Sequence, residues 1–184
     1  AWGVLKAIAL GLSGWFMVTA MGALVSLLVE WLGGEILNPY ALFFTGPPWL
    51  TLVAGALIPA VCEELSFRGY VQGALRPLGP TAAVLITGLL FGALHLSFIR
   101  LVPLSLLGIL WSLAAERSGS SLPGMITHLI NNGVSLVLTL LLEGFVDPTQ
   151  PETLDPVLPS ESIVLLIAVA LGSALLSFAI AASF

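Results

Sequence analysis

The sequence predicts an all-α, polytopic transmembrane helical bundle of about six spans, forming one domain over 1–184. Three observations predict it. Only 8% of the residues are charged, 58% are hydrophobic and the mean hydropathy is +1.10, whereas about a quarter of a soluble domain is charged. Apolar stretches long enough to cross about 30 Å of hydrocarbon recur between breaks of proline, glycine and charge. No stretch alternates with period two, as the strands of a β-barrel would.

The first apolar stretch runs from about Trp2 to Leu32, interrupted by Lys6 and Glu30, and is too long for a signal-peptide core. A break follows at Gly33-Gly34-Glu35, Asn38-Pro39 and Pro47-Pro48. The second stretch, Trp49 to Leu75, ends before Pro77; the third runs from Pro80 to about Phe98 and the fourth from Leu101 to Ala115. Ser118 to Ser121 breaks the pattern, and Pro123 is placed to open a fifth helix reaching about Leu142. Glu143 to Glu161 reads as an acidic, proline-rich loop before a sixth stretch, Ser162 to Phe184. The chain begins at Ala1 and is expected to be a processed or trimmed piece.

Charge orients the bundle and limits its partners. The formal charge of −5, with no basic cluster, argues against nucleic acid as a partner. The single cysteine, Cys62, excludes an internal disulfide and a multi-cysteine metal site. If six helices alternate, Lys6, Arg68, Arg76 and Arg117 share one side, expected to be cytoplasmic with both termini, in a plasma or inner membrane. Glu30, Glu35, Glu143, Asp147, Glu152, Asp155 and Glu161 fall on the other. Arg100 is the exception, near the outer face, where a long side chain can snorkel.

Polar groups inside the spans mark a functional site, because a charge at mid-bilayer costs about 2.5–3.5 kcal/mol if it faces lipid. They are Glu63, Glu64 and Arg68, then His95, then His128 and Asn132. Glu64 and Arg68 are four apart, an ion-pair spacing, while Glu63 is rotated about 100° away and stays free for proton transfer. Glu63 and His95 come out level in depth and are placed to share a water. His128 and Asn132, also four apart, can aim donors at one point, as a tetrahedral oxyanion requires. By residue count His128 lies shallower than Glu63, so the Ser118 to Ser121 connection must dip inward or a helix must tilt. Base, water and oxyanion donors together describe peptide hydrolysis, in a cavity expected to open to the cytoplasmic side.

Glu63-Glu64-Leu65-Ser66-Phe67-Arg68 fits E-E-x-x-x-R, Phe91-Gly92-Ala93-Leu94-His95 fits F-x-x-x-H, and His128-Leu129-Ile130-Asn131-Asn132 fits H-x-x-x-N. In that order on successive apolar segments, with the Phe-Arg-Gly-Tyr run at Phe67 to Tyr70, the sequence resembles the CPBP (CAAX protease and bacteriocin-processing, or Abi) family of intramembrane proteases. The resemblance covers about Pro59 to Leu138, within a catalytic core expected over 49–142. It implies that Glu63 and His95 activate the hydrolytic water, that Glu64 orients Arg68, and that His128 and Asn132 form the oxyanion site. It also implies a membrane-anchored peptide or protein substrate, prenylated in eukaryotic members and not so in many bacterial ones.

Other readings were open at this level. Glu63, His95 and His128 are a sufficient zinc set if water is the fourth ligand, although no H-E-x-x-H is present. Gly11-Leu12-Ser13-Gly14 matches the rhomboid G-x-S-G string, but small residues in a first span more often permit close helix packing. No aspartate lies in a span, which removes the aspartyl intramembrane proteases. The competing class is a non-catalytic membrane protein, either a proton-coupled transporter or a bacteriocin immunity factor.

Overall fold

The computed structural model describes residues 2–34, 47–142 and 160–184. The breaks expected at Glu35, Asn38 and Pro39, and the loop carrying Glu143, Asp147, Glu152 and Asp155, lie outside the described residues. Six helices are described: α1 (Trp2–Trp31), α2 (Pro48–Leu78), α3 (Pro80–Leu94), α4 (Phe98–Ser118), α5 (Leu122–Leu142) and α6 (Ser160–Ala182). There is no strand among them, and the chain is an all-α polytopic bundle. All but α3 are long and apolar enough to cross a membrane.

The helix of 15 residues, α3, is the departure from six equal spans. It is about 22 Å long, short of a 30 Å hydrocarbon core. Glycine packing holds it in place. A Cβ on Gly88 would lie 2.5 Å from the backbone nitrogen of Ile109, one on Gly92 would lie 2.7 Å from that of Ser105, and one on Gly108 would lie 2.8 Å from the carbonyl oxygen of Gly88. Backbone therefore meets backbone along the α3–α4 crossing, as small residues allow in membrane bundles. The helix ends at His95, followed by Leu96 in the left-handed region at φ 50° and Ser97 in extended conformation. A turn thus lies within the thickness of the longer helices, and irregular backbone at that depth is tolerated where it lines a cavity.

Helix α2 is irregular around the acidic pair. Pro59 has no N–H to give the carbonyl of Gly55, four residues earlier, and its ring crowds that carbonyl. The helix widens to π geometry over Val53–Leu57, where the Ile58 N–H reaches back to the Val53 oxygen, and again over Leu65–Val71. Such widenings recur at functional positions.

Helix α1 packs mainly on α6 and α5. A Cβ on Gly11 would meet Ile130 at 2.9 Å, and Ser13 lies in the α1–α6 interface, where its Oγ accepts from Ser177 Oγ at 2.8 Å. The G-x-S-G string is thus a packing seam. At the inner end of α5, Gly119, Ser120 and Ser121 line a small cavity with Arg68, Gly69, Gln72 and Arg76 of α2. The connection sits beside the middle of α2 instead of beyond its end, which brings His128 level with Glu64.

Two glycine substitutions test this packing. Gly92→Leu should lower stability by about 1–3 kcal/mol, the usual cost of overpacking. Gly133→Ala, with nothing within 4 Å of the new methyl, should be neutral or stabilising by up to about 1 kcal/mol. Thermal unfolding in detergent reads both.

Candidate active site

Six residues singled out from sequence form two groups that share a wall. The first group is fully enclosed. Glu64 is 0% exposed and Arg68 is 6% exposed. Arg68 Nη1 donates to Glu64 Oε1 at 2.9 Å and Nη2 donates to the Gly108 carbonyl at 2.9 Å. The guanidinium lies over the rings of Phe91 at 4.6 Å, Trp111 at 5.4 Å and Phe67 at 5.9 Å from their centroids. Cation–π contact offsets part of the lost hydration. His128 completes the group, with Nδ1 3.1 Å from the same Glu64 Oε1 and its ring tilted against Trp111 at 4.6 Å.

The other carboxylate oxygen of Glu64 packs against Gly124 in the first turn of α5 and has no hydrogen-bond partner among the described residues. A methyl at 124 would overlap it and come within 3.2 Å of the carboxyl carbon. Glycine at 124 is what lets α5 approach a buried carboxylate this closely.

The second group lines a cavity of about 450 Å³ walled by α1, α2, α5, the first turns of α4 and the 95–97 turn. Glu63, His95, Asn131, Asn132 and Arg100 all face it. Glu63 is half-buried and makes no hydrogen bond to a described residue, and its Oε2 is shielded from solvent without a partner. His95 Nδ1 is 2.8 Å from the Phe91 carbonyl. A carbonyl only accepts, so Nδ1 carries the proton and Nε2 of the neutral ring is left as the basic nitrogen. The histidine side chain thereby caps a carbonyl that the end of α3 would otherwise leave orphaned. Phe91, read from sequence as core, touches both groups: its ring lies 5.0 Å from His95 and 5.8 Å from His128.

His128 and Asn132 do not aim at one point in this geometry. His128 is turned to Glu64, while Asn132 Nδ2 donates to the Gly55 carbonyl at 3.1 Å, the one Pro59 leaves without an N–H. One amide proton of Asn132 is thus engaged and one remains. Nor do Glu63, His95 and His128 present a zinc set: among the described residues no three His, Cys, Asp or Glu side chains are grouped to hold a metal ion, and His128 is held away by its bond to Glu64.

The cavity also lies elsewhere than expected. Its walls are Val18 to Ser26 of α1, Gly55 to Glu63 of α2 and Asn131 to Leu136 of α5, all toward the helix ends opposite Lys6, Arg76 and Arg117. The expectation of a site opening on the same side as those basic ends is corrected. The physical reason is that Phe91, Leu107, Leu110 and Trp111 fill the basic half of the bundle, whereas the short α3 leaves the other half open.

Sequence reading missed Gly124, Trp111, Gly55 and Asn131. Only Gly55 carried a signal, since a proline at 59 frees the carbonyl four residues before it.

Gly124→Ala should displace the Glu64 carboxylate and lower stability by about 1–3 kcal/mol. Glu64→Gln, which leaves Arg68 buried without its counter-charge, should cost about 3–5 kcal/mol and reduce folded yield. Thermal unfolding and the monodisperse fraction on size exclusion report both.

No curated protein and no solved structure matches the chain. Residues 45–134 match the family model described as type II CAAX prenyl endopeptidase Rce1-like. That segment carries Glu63, Glu64, Arg68, His95, His128 and Asn132, and over it the chain is similar to the Rce1-like CAAX endopeptidases.

Proposed function

We propose that the chain is an intramembrane endopeptidase of the CAAX-protease type, cleaving a peptide bond of a membrane-anchored and, in the family's manner, lipidated substrate. The carrying observation is that Glu63, without a protein partner, and His95, with Nε2 as its basic nitrogen, face one cavity. Both can take a proton from the same water, and its hydroxide attacks the scissile carbonyl. The second amide proton of Asn132 stabilises the oxyanion. His128 contributes from behind: its Nδ1 on Glu64 fixes the ring between Phe91 and Trp111, so it holds α5 and hence Asn132 in register. Arg68 balances the Glu64 charge and leaves Glu63 as the carboxylate free for proton transfer.

No step in this scheme passes through a metal, and chelators should leave turnover unchanged. By the positive-inside rule the ends carrying Lys6, Arg76 and Arg117 face the cytoplasm of a plasma or inner membrane, which puts the cavity in the opposite half. A transporter would need a second polar opening connected to the first. The polar cavity beside Arg68 is separated from Glu63 by the packed Phe91, Trp111 and Glu64, which favours the enzyme.

Glu63→Gln should abolish cleavage of a prenylated membrane peptide, read by mass spectrometry, with the unfolding midpoint unchanged. Cleavage persisting in this variant would remove the site from the chemistry. Asn132→Ala should lower the rate by about 10²–10³, and a second change separates its two duties. Pro59→Ala restores an N–H for the Gly55 carbonyl, so the double variant should regain stability and stay slow. Full recovery of rate would reduce Asn132 to a structural role.

A further inference from the structure

Asn131, the residue before the motif asparagine, is a buried amide left unpaired among the described residues. It is 6% exposed and lines the cavity with Glu63 and His95. Its side-chain Nδ2 has no partner, and its amide makes no hydrogen bond to a described residue. Only its backbone carbonyl is used, by Ser135 Oγ at 3.1 Å. Two neighbouring polar groups bond elsewhere: Asn132 Nδ2 gives one proton to Gly55, and Ser135 Oγ also accepts from Trp15 Nε1 at 2.9 Å.

An asparagine that only glues helices together needs a partner on the facing helix, and Asn131 has none. Leaving such a group unsatisfied costs about 1–3 kcal/mol. Its chemistry defines what would satisfy it. A carboxamide offers a donor and an acceptor side by side, the complement of the N–H and C=O that one residue of an extended chain presents on the same side. The cavity has room for one. Its wall on α1 runs from Val18 to Ser26 through Gly22 and Ala23, about 12 Å at 1.5 Å per residue, enough for about three to four extended residues.

We infer that Asn131 reads the substrate main chain: its side-chain amide pairs with the N–H and C=O of one residue of an extended segment in the cavity, next to the bond attacked from Glu63 and His95. This rests on the endopeptidase reading of the cavity. It makes Asn131 a substrate-binding residue whose contact is independent of the substrate's side chains.

The test uses a fluorescent, farnesylated peptide with a free C-terminus and a series of analogues in which one amide at a time is replaced by an ester. Binding is read by anisotropy to the whole chain in nanodiscs, in the Glu63→Gln background so that nothing is cleaved. Asn131→Leu should weaken the all-amide peptide about 10-fold, one hydrogen-bonded unit's worth. One ester position should weaken binding to the unmutated 131 protein by a similar factor, with no added loss in Asn131→Leu. Asn131→Asp, nearly isosteric, guards against a folding defect: it loses the donor to the peptide C=O but keeps an acceptor for the N–H, so it should weaken the all-amide peptide while the sensitive ester position still costs affinity.

Losses that add at every ester position in Asn131→Leu, unchanged affinity in both variants, or no binding at all would each overturn the inference. Cleavage by the chain with native Glu63, followed by mass spectrometry, judges the enzymatic reading separately. Binding with the expected non-additivity but no cleavage would sink the enzyme and keep the peptide site. Cleavage with additive losses would do the reverse.

Discussion

A buried ion pair, Glu64 with Arg68, is the constraint around which this bundle is arranged. Neither side chain touches solvent, and separating the partners would cost about 3–5 kcal/mol in an ordinary protein interior. Each helix near the pair supplies something that makes its burial possible. Helix α4 gives the Gly108 carbonyl and the Trp111 ring, α3 gives Phe91, and α5 gives His128 and the bare backbone at Gly124. The glycines of the α3–α4 crossing follow from the same need. Phe91 and the Gly108 carbonyl can both reach the guanidinium because the two backbones lie closer than side chains would permit.

With one half of the bundle filled by this group, the functional half is shaped by two interruptions of helix. Pro59 frees a carbonyl in α2, and Asn132 crosses from α5 to satisfy it. The early end of α3 frees the Phe91 carbonyl, and His95 turns its own Nδ1 back to satisfy it. In both cases a helix defect recruits a polar side chain. The recruitment fixes what that side chain can still offer: a second amide proton on Asn132 and the Nε2 lone pair on His95. Preorganisation here is a by-product of backbone bookkeeping in a medium without water.

Much of this was legible in the sequence, for physical reasons. Helical spacing of four sufficed to pair Glu64 with Arg68 and to send Glu63 elsewhere, and the pair persists although the helix widens to π geometry over Leu65–Val71. Depth counting also put Glu63 and His95 on a level, and both face the cavity. The same spacing misled for His128 and Asn132. A helix face one turn long can look toward two neighbours, and here Glu64 takes one residue and Gly55 the other. The side of the cavity was misjudged because it depends on which half the aromatic residues fill, and nothing local in the sequence marks Trp111 as a partner of His128. The proline at 59 did hold usable information: an orphaned carbonyl in a span implies a donor on a facing helix, and Asn132 was among the few available.

Two adjacent glutamates thus end in opposite circumstances through geometry alone. Glu64 has a permanent counter-ion, a histidine and a close-packed glycine, so its charge is committed to holding three helices together. Glu63, one residue earlier, has no hydrogen-bond partner among the described residues and borders open space with His95. A base must be poised but uncommitted, and a charge that is to be uncommitted inside a bundle needs the local field settled by something else. Arg68, five residues on in the same helix, is a cation that Glu63 could otherwise neutralise, and a salt-bridged carboxylate is a poor proton acceptor. By occupying Arg68, Glu64 keeps the neighbouring carboxylate available. On the proposed endopeptidase reading, the doubled glutamate is a division of labour, in which the structural member of the pair makes the chemical one possible.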